Sequence, residues 1–126
     1  MPKRVFISFP IEDERSYTFL VGQARNENSP FEFVDMGVKE PWSDSWRVRC
    51  RTRIKGCDGM IALVSMNTAG ASGQLFEVRC AKEERVPVRG IHISTTDRPA
   101  TLPQEFNGVL VQSWTWANIK NFIDAL

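Results

Sequence analysis

The stretch Gly59-Met60-Ile61-Ala62-Leu63-Val64 is the most continuous apolar run in the 126-residue chain. A short run that is apolar at successive positions is typical of a strand covered on both faces, as in a parallel sheet. A second run, Val5-Phe6-Ile7-Ser8-Phe9, is also rich in β-forming residues. The two runs predict two strands of a buried sheet.

Three shorter runs predict the other strands of a five-stranded sheet. They are Phe31–Val34, which follows the turn-forming Asn28-Ser29-Pro30, then residues 88–93, opened by Pro87, and residues 109–111. Because helical stretches alternate with these strands, we expect parallel pairing through right-handed crossovers, with helices on both faces.

Apolar residues at helical spacing predict a helix in three of the intervening stretches. They are Tyr17, Leu20, Val21 and Ala24 in the first, Leu75, Phe76, Val78, Cys80 and Ala81 in the second, and Trp116, Ile119, Ile123 and Leu126 in the last. Ser72 is the predicted N-cap of the second helix, and Ser113 or Thr115 that of the last.

Residues 43–56 fit both a strand and a helix. Four arginines alternate with less polar residues as in a strand. The same segment has a helical stripe, which consists of Trp46, Cys50, Ile54 and Cys57. We favour a helix because Ser43 or Asp44 can cap its start and Gly56 can end it.

The composition fits one domain spanning residues 1–126, since 42% of the residues are hydrophobic. A net charge of +1 argues against nucleic acid or an anionic membrane as the main partner. The basic residues between positions 47 and 55 are therefore expected to form a solvated helix face.

The cysteines and the apolar runs indicate the compartment. Cys50, Cys57 and Cys80 have no zinc-ligand spacing, so we expect reduced thiols and no metal site. No apolar run is long enough for a signal peptide or a membrane span. A soluble, cytoplasmic protein is expected.

Ligands of open parallel sheets bind beyond the carboxyl ends of the strands, where the strand order reverses. In the predicted flavodoxin-like order 2-1-3-4-5, the loops at residues 9–11 and 65–72 meet there, with Glu77 one turn into the following helix. The third strand ends in Val64-Ser65 without the aspartate of a phosphoacceptor receiver. Residues 9–13 are apolar and then acidic, which disfavours the phosphate-binding loop of a flavodoxin.

An ordered set of short motifs along almost the whole chain resembles TIR domains. The motifs are Lys3-Arg4-Val5-Phe6-Ile7-Ser8-Phe9, Glu12-Asp13-Glu14, Phe33-Val34-Asp35, Trp46, Ile54, Gly59-Met60-Ile61-Ala62-Leu63-Val64-Ser65, Asn67-Thr68, Ser72 and Glu77. They are most similar to short bacterial TIR-like domains, in particular the ThsB family of the Thoeris antiphage defence system. The resemblance implies a flavodoxin-like, TIR-type α/β fold.

The resemblance also implies cleavage of NAD at the nicotinamide–ribose bond, with Glu77 as the catalytic carboxylate. Together with the crevice geometry, it suggests substrate contacts at Ser8, Phe9, Asp35, Trp46, Thr68 and Ser72. NAD is the implied substrate, and no cofactor or metal is implied because the leaving group is already activated by its positive charge. The implied partners are further copies of the chain, a phage-derived trigger, and an effector that senses a cyclic ADP-ribose-type product.

One departure from related sequences supports an alternative function. Those sequences carry an aromatic residue one turn before the glutamate, where this chain has Gly73-Gln74. Substrate stacking would then have to come from Phe9, Trp42 or Trp46. The same departure favours a non-catalytic TIR adaptor that acts through self-association.

Overall fold

The computed structural model describes residues 3–28 and 31–126. Within these residues one sheet contains five strands, which are β1 (Lys3–Ser8), β2 (Phe31–Val34), β3 (Gly59–Val64), β4 (Val88–His92) and β5 (Leu110–Ser113). Neighbouring strands pair in parallel in the order β2-β1-β3-β4-β5. The predicted flavodoxin-like sheet is confirmed.

Helices connect the strands. They are α1 (Glu14–Asn26), α2 (Asp44–Lys55), α3 (Ser72–Glu83) and α4 (Trp116–Asp124). Short 3-10 turns at Ile11–Asp13, Thr68–Gly70 and Gln104–Phe106 have no counterpart in the sequence prediction, because three residues are too few to show a period. None of the described helices has the length and apolar character needed to cross a membrane.

Strand β3 lies at the centre of the fold and is buried at every position. Its side chains alternate between two apolar layers, because successive residues of a strand point to opposite faces. Met60, Ala62 and Val64 pack in the layer that contains α2 and α3, whereas Ile61 and Leu63 pack in the layer that contains α1 and α4. Helices therefore cover both faces, as predicted.

The segment whose sequence fits both a strand and a helix forms the helix α2. The Ser43 side chain accepts a hydrogen bond from the Trp46 amide at the N-terminus, and Gly56 ends the helix. Trp46, Cys50 and Ile54 are buried, as the helical stripe predicts. Burying this stripe against the sheet outweighs the alternation of the arginines.

Several predicted boundaries differ from the structure. Ser72 is the first residue of α3 and not its cap; the N-cap is Ala71, which makes no capping side-chain bond. Thr115, not Ser113, caps α4, because Ser113 still belongs to β5. In the predicted turn before β2, Asn28 has a positive φ of 51°, and Ser29-Pro30 lies outside the described residues.

Two glycine substitutions test the packing of the sheet. A Cβ added at Gly90 in β4 would lie 2.7 Å from a Val111 methyl carbon, so Gly90→Ala should cost roughly 1–3 kcal/mol of unfolding free energy. Gly22→Ala in α1 is the matched control, because nothing lies within 4 Å of the added Cβ. It should stabilise the helix by about 0.5–1 kcal/mol. Urea unfolding of both variants checks the opposite signs, and equal effects would contradict the close approach of β4 and β5.

Candidate active site

Three loops enclose a cleft of about 290 Å³ at the carboxyl edge of the sheet, beside β1 and β3. Residues 9–13 follow β1, residues 35–43 follow β2, and residues 65–71 follow β3. The cleft is lined by Ile11, Lys39, Trp42 and Ser72, among others. It therefore lies at the reversal of strand order, where ligands of such sheets bind.

A buried ion pair lies at the floor of this cleft. Glu77 has no solvent exposure, and the Lys39 side chain is 6% exposed. Lys39 Nζ donates to Glu77 Oε1 at 2.8 Å and to Oε2 at 2.7 Å, and Ser8 Oγ donates to Oε1 at 2.7 Å. Both carboxylate oxygens are thus hydrogen-bonded, which compensates in part for their removal from water.

Three different elements bring these side chains together. Ser8 lies two residues after Phe6 in β1, so its side chain points to the same face of the sheet, toward the layer of α2 and α3. Glu77 lies on the buried side of α3, beside Val78. Lys39 comes from the loop after β2. Its stem lies so close to Gly73 that a Cβ at that position would be 2.9 Å from Lys39 Cδ. The glycine therefore leaves room for the lysine.

The charge of Glu77 is set by opposing effects. Burial raises the pKa of the Glu77 carboxyl group, while the charge of Lys39 and the hydrogen bonds from Lys39 and Ser8 lower it; the net shift is upward. Lys39 Nζ also lies 4.8 Å from the centroid of the Phe9 ring. This cation–π contact offsets part of the cost of removing the ammonium group from water. The ammonium group and the carboxylate are thus held together in the buried interior.

Gln74 fixes the strands below the ion pair. It is fully buried, and its Nε2 donates to the carbonyl oxygens of Leu63 at 2.6 Å and Ser8 at 3.3 Å. These carbonyls lie at the ends of β3 and β1. Gln74 Oε1 is buried and has no hydrogen-bond partner among the described residues. The side chain therefore joins the two strands near the point where their connections diverge, and it leaves one acceptor unpaired.

A second buried carboxylate orders the loop after β3. The two oxygens of Asp13 accept hydrogen bonds from Ser65 Oγ and from Asn67 Nδ2, the latter at 3.0 Å. The Thr68 hydroxyl accepts from the Ser65 amide at 3.1 Å. Because Asp13 precedes α1, these bonds tie the loop after β3 to the loop after β1. One wall of the cleft is thereby fixed.

The structure brings several of the predicted site residues together. Ser8 contacts the Glu77 carboxylate, and Phe9 packs beneath the ammonium group of Lys39. Ser72 is exposed and lines the cleft. Trp42, considered as a stacking partner, also lines it and is 74% exposed.

Ser8, Phe9 and Glu77 are buried and do not line the cleft themselves. Three other predicted residues also do not line it. The Asp35 carboxylate accepts from the Gly37 amide at 2.6 Å within its own loop. Trp46 is 1% exposed, and its indole donates to the Val38 carbonyl at 3.0 Å. Thr68 is fully buried. Trp46 and Asp35 thus order the loop that carries Lys39, and Thr68 orders the opposite one.

Lys39, Gln74 and the structural role of Asp13 were not predicted from the sequence. Lys39 lies in an irregular loop, where no periodicity marks a residue as buried. Gln74 belongs to the Gly73-Gln74 pair, where the resemblance leads one to expect an aromatic residue, and this departure was the one available signal. Asp13 belongs to the acidic motif, but its two flanking glutamates are exposed and only Asp13 is buried.

The described residues contain no group of three or more His, Cys, Asp or Glu side chains arranged to hold a metal ion. The three cysteines are free and buried. Burial raises the pKa of all three thiols, in Cys57 to about 11, so they are protonated at neutral pH. They are therefore poor nucleophiles.

Comparison with known proteins identifies the fold. No protein-family model matches the chain, and no curated protein sequence is significantly similar to it. Among solved structures, the TIR domain of the Toll-related receptor TRR-2 from Hydra magnipapillata superposes with a TM-score of 0.59 and 16% sequence identity. The alignment covers 95% of this chain and 97% of the receptor domain. At this identity the likeness concerns the fold alone, and the chain has a TIR-like fold.

Removing the buried ammonium group should destabilise the protein strongly. Lys39→Met leaves the Glu77 carboxylate buried without a cation, so we expect a loss of roughly 3–5 kcal/mol in unfolding free energy at pH 7. Urea unfolding followed by circular dichroism measures this loss. The double variant Lys39→Met/Glu77→Gln removes both charges and should recover most of it.

The penalty in Lys39→Met should depend on pH. Because the folded-state pKa of Glu77 lies above its unfolded value of about 4.3, the penalty should be small near that pH and should grow as pH rises through the folded-state pKa. Lys120→Met, which breaks a half-exposed pair with Asp124, is the control and should cost about 0.5 kcal/mol or less. Equal penalties in the two variants, or one independent of pH, would contradict the buried pair.

Proposed function

We propose that this protein is a TIR-type NAD-cleaving enzyme and that Glu77 is its catalytic carboxylate. One observation carries the proposal: a fully buried glutamate lies beneath a cleft at the point where the strand order reverses. A buried ion pair is a weak source of stability compared with packed apolar residues of similar volume. Carboxylates with perturbed pKa values are a common feature of active sites, so a functional role accounts for this glutamate better.

In the proposed reaction the bond between the nicotinamide nitrogen and ribose C1′ breaks. Its electron pair leaves with nicotinamide, which becomes neutral, and the ribose becomes an oxocarbenium-like cation. The Glu77 carboxylate stabilises this cation by charge and accepts hydrogen bonds from the ribose hydroxyls. Water then attacks C1′ and loses a proton to give ADP-ribose. If water is excluded, a nucleophilic atom of the same molecule attacks and gives a cyclic isomer.

The described conformation corresponds to a latent state of this enzyme. Lys39 occupies the position between Glu77 and the cleft, so the ribose can reach the carboxylate only after Lys39 moves. Lys39 lies in a loop whose neighbouring side chains, Val38 and Trp42, are more than 70% exposed. Association of further copies through these apolar side chains would shift the loop and release Glu77. Activity is therefore proposed to depend on self-association.

The biological role proposed here follows the sequence resemblance to the ThsB family. In this role a phage-derived trigger promotes assembly in the cytoplasm. NAD is the substrate, and no metal or other cofactor takes part. The cyclic ADP-ribose-type product acts as a nucleotide signal to a separate effector in antiphage defence.

A specific observation also favours the alternative, a non-catalytic adaptor. The Glu77 carboxylate is neutralised and closed off, while apolar side chains are exposed around the cleft at Ile11, Val38 and Trp42. Such exposed apolar residues are typical of surfaces that bind proteins. In this function the ion pair would only stabilise the shape of the loop after β2, and the loop itself would bind the partner.

Product analysis separates the two functions. Purified protein is incubated with NAD in dilute solution, at high concentration and in lysate of phage-infected cells, and nicotinamide and ADP-ribose isomers are measured by mass spectrometry. Wild type should form product in at least one condition, and Glu77→Gln should reduce it by about 100-fold or more. Glu83→Gln, at the exposed end of α3, is the control and should remain active. Absence of product in all conditions, with folded protein, would support the adaptor.

A second substitution tests whether Lys39 causes the latency. The Cβ of Gly73→Ala would displace the Lys39 side chain, so turnover in dilute solution should rise on the order of tenfold as the open form becomes more populated. Gly70→Ala is the matched control in the same region, because its Cβ meets nothing within 4 Å. An unchanged rate in Gly73→Ala, with an active wild type, would show that Lys39 is not the barrier.

A further inference from the structure

A second and larger cleft, of about 610 Å³, lies at the same edge of the sheet but beside β4 and β5. Its walls are formed by the carboxyl ends of these strands, by the loop after β4 and by the outer side of α1. Its volume is within the usual range for sites of small organic ligands, about 300–1,000 Å³. Glu77 and Lys39 do not contribute to it.

The charge of this cleft is positive and uncompensated. Arg15 and Arg98 line it, and no Asp or Glu side chain does. Neither arginine has a carboxylate within ion-pair distance among the described residues, in contrast to Arg47 and Arg51 on α2. Two unpaired guanidinium groups on one cleft favour an anionic ligand, and phosphate is the group that arginine binds best through paired hydrogen bonds.

The position of Arg98 is held by neutral groups. Its Nε donates to the Ser94 carbonyl at 3.2 Å, and its Nη2 donates to Ser113 Oγ at 2.9 Å. These bonds orient the guanidinium group without neutralising it. Its remaining N–H groups stay available to a ligand.

An unpartnered polar atom lies at the same place. His92, the last residue of β4, lines the cleft, and its Nδ1 is buried without a hydrogen-bond partner among the described residues. Burial and the charge of Arg98 lower the pKa of His92, so the ring is neutral at pH 7. His92 therefore adds no positive charge to the cleft, and the charge there comes from the two arginines.

Two aromatic rings complete the cleft. Phe19 is 64% exposed, and its ring meets Trp114 edge to face at a centroid distance of 5.7 Å. Trp114 is fixed because its Nε1 donates to Gln23 Oε1 at 2.8 Å. An exposed ring supported in this way offers a flat surface on which a nucleobase can stack.

From this combination we infer a binding site for a nucleoside diphosphate between α1 and the ends of β4 and β5. Arg15 and Arg98 bind the diphosphate, and the base stacks on Phe19. The cleft contains both positive charge and an aromatic surface. A bare anion would contact only the arginines, and an uncharged ring would contact only the aromatic side chains. The inference is independent of the proposed chemistry at Glu77, because the two clefts have no lining residue in common.

Isothermal titration calorimetry with ADP as the probe tests the site. ADP should bind more tightly than pyrophosphate and more tightly than adenosine, and added salt should weaken its binding. Arg98→Gln and Arg15→Gln should each weaken ADP binding by about tenfold or more, because each loses a charge-assisted hydrogen bond. Phe19→Ser should weaken binding of ADP but not of pyrophosphate.

A matched control makes the outcome decisive. Arg49→Gln removes the same charge from the exposed side of α2 and should leave ADP binding unchanged. The Arg15 and Arg98 variants leave the cleft beside Glu77 unaltered, so loss of ADP binding in them is distinguishable from failure of the proposed NAD cleavage. No ADP binding at millimolar concentration, or equal losses in Arg49→Gln and Arg98→Gln, would overturn the inference. If pyrophosphate bound as tightly as ADP, the inference that the base stacks on Phe19 would be overturned.

Discussion

The buried ion pair between Glu77 and Lys39 is the constraint on which the candidate active site depends. A carboxylate without water or a cation would be costly in the interior, so the loop after β2 must deliver an ammonium group to α3. The other features of the region satisfy this requirement. Gly73 leaves space for the lysine stem, and the Phe9 ring packs against the ammonium group. The conformation of the loop and the charge of the carboxylate are therefore linked.

Under the proposed enzymatic function, this link would give the cleft two alternative arrangements. While Lys39 is paired, the carboxylate is neutralised and closed off; once Lys39 leaves, Glu77 needs another cationic partner. An oxocarbenium-like ribose would supply that positive charge. The same residue that stabilises the closed loop is therefore suited to stabilise a developing cation, since both roles require a preorganised carboxylate away from water. A surface that binds the exposed Val38 and Trp42 would act on the loop from outside.

The sequence predicts the sheet well because its information is periodic. The apolar run of β3 is long enough to indicate burial on both faces, and the helical stripe of α2 correctly overrides the alternating arginines. Ser72 was wrong as a cap because cap geometry depends on one local backbone conformation that propensity does not fix. The geometry of the sheet edge placed Glu77 near the reversal of strand order, but its catalytic role was implied only by the resemblance. Lys39 could not be found at all, since its contact spans 38 residues and rests on the shape of one loop.

The loop after β3 lines the cleft beside Glu77 and is hydrogen-bonded to segments that border the second cleft. On one side Asp13 accepts hydrogen bonds from Ser65 and Asn67. Arg15, two residues after Asp13, lines the second cleft. On the other side Asp97 accepts from the Met66 amide at 2.8 Å, next to Arg98. The far end of this loop, at Ala71, forms the wall of the cleft above Glu77. Hydrogen bonds therefore anchor this one loop to segments beside both clefts, which fixes the wall of the first cleft from two sides.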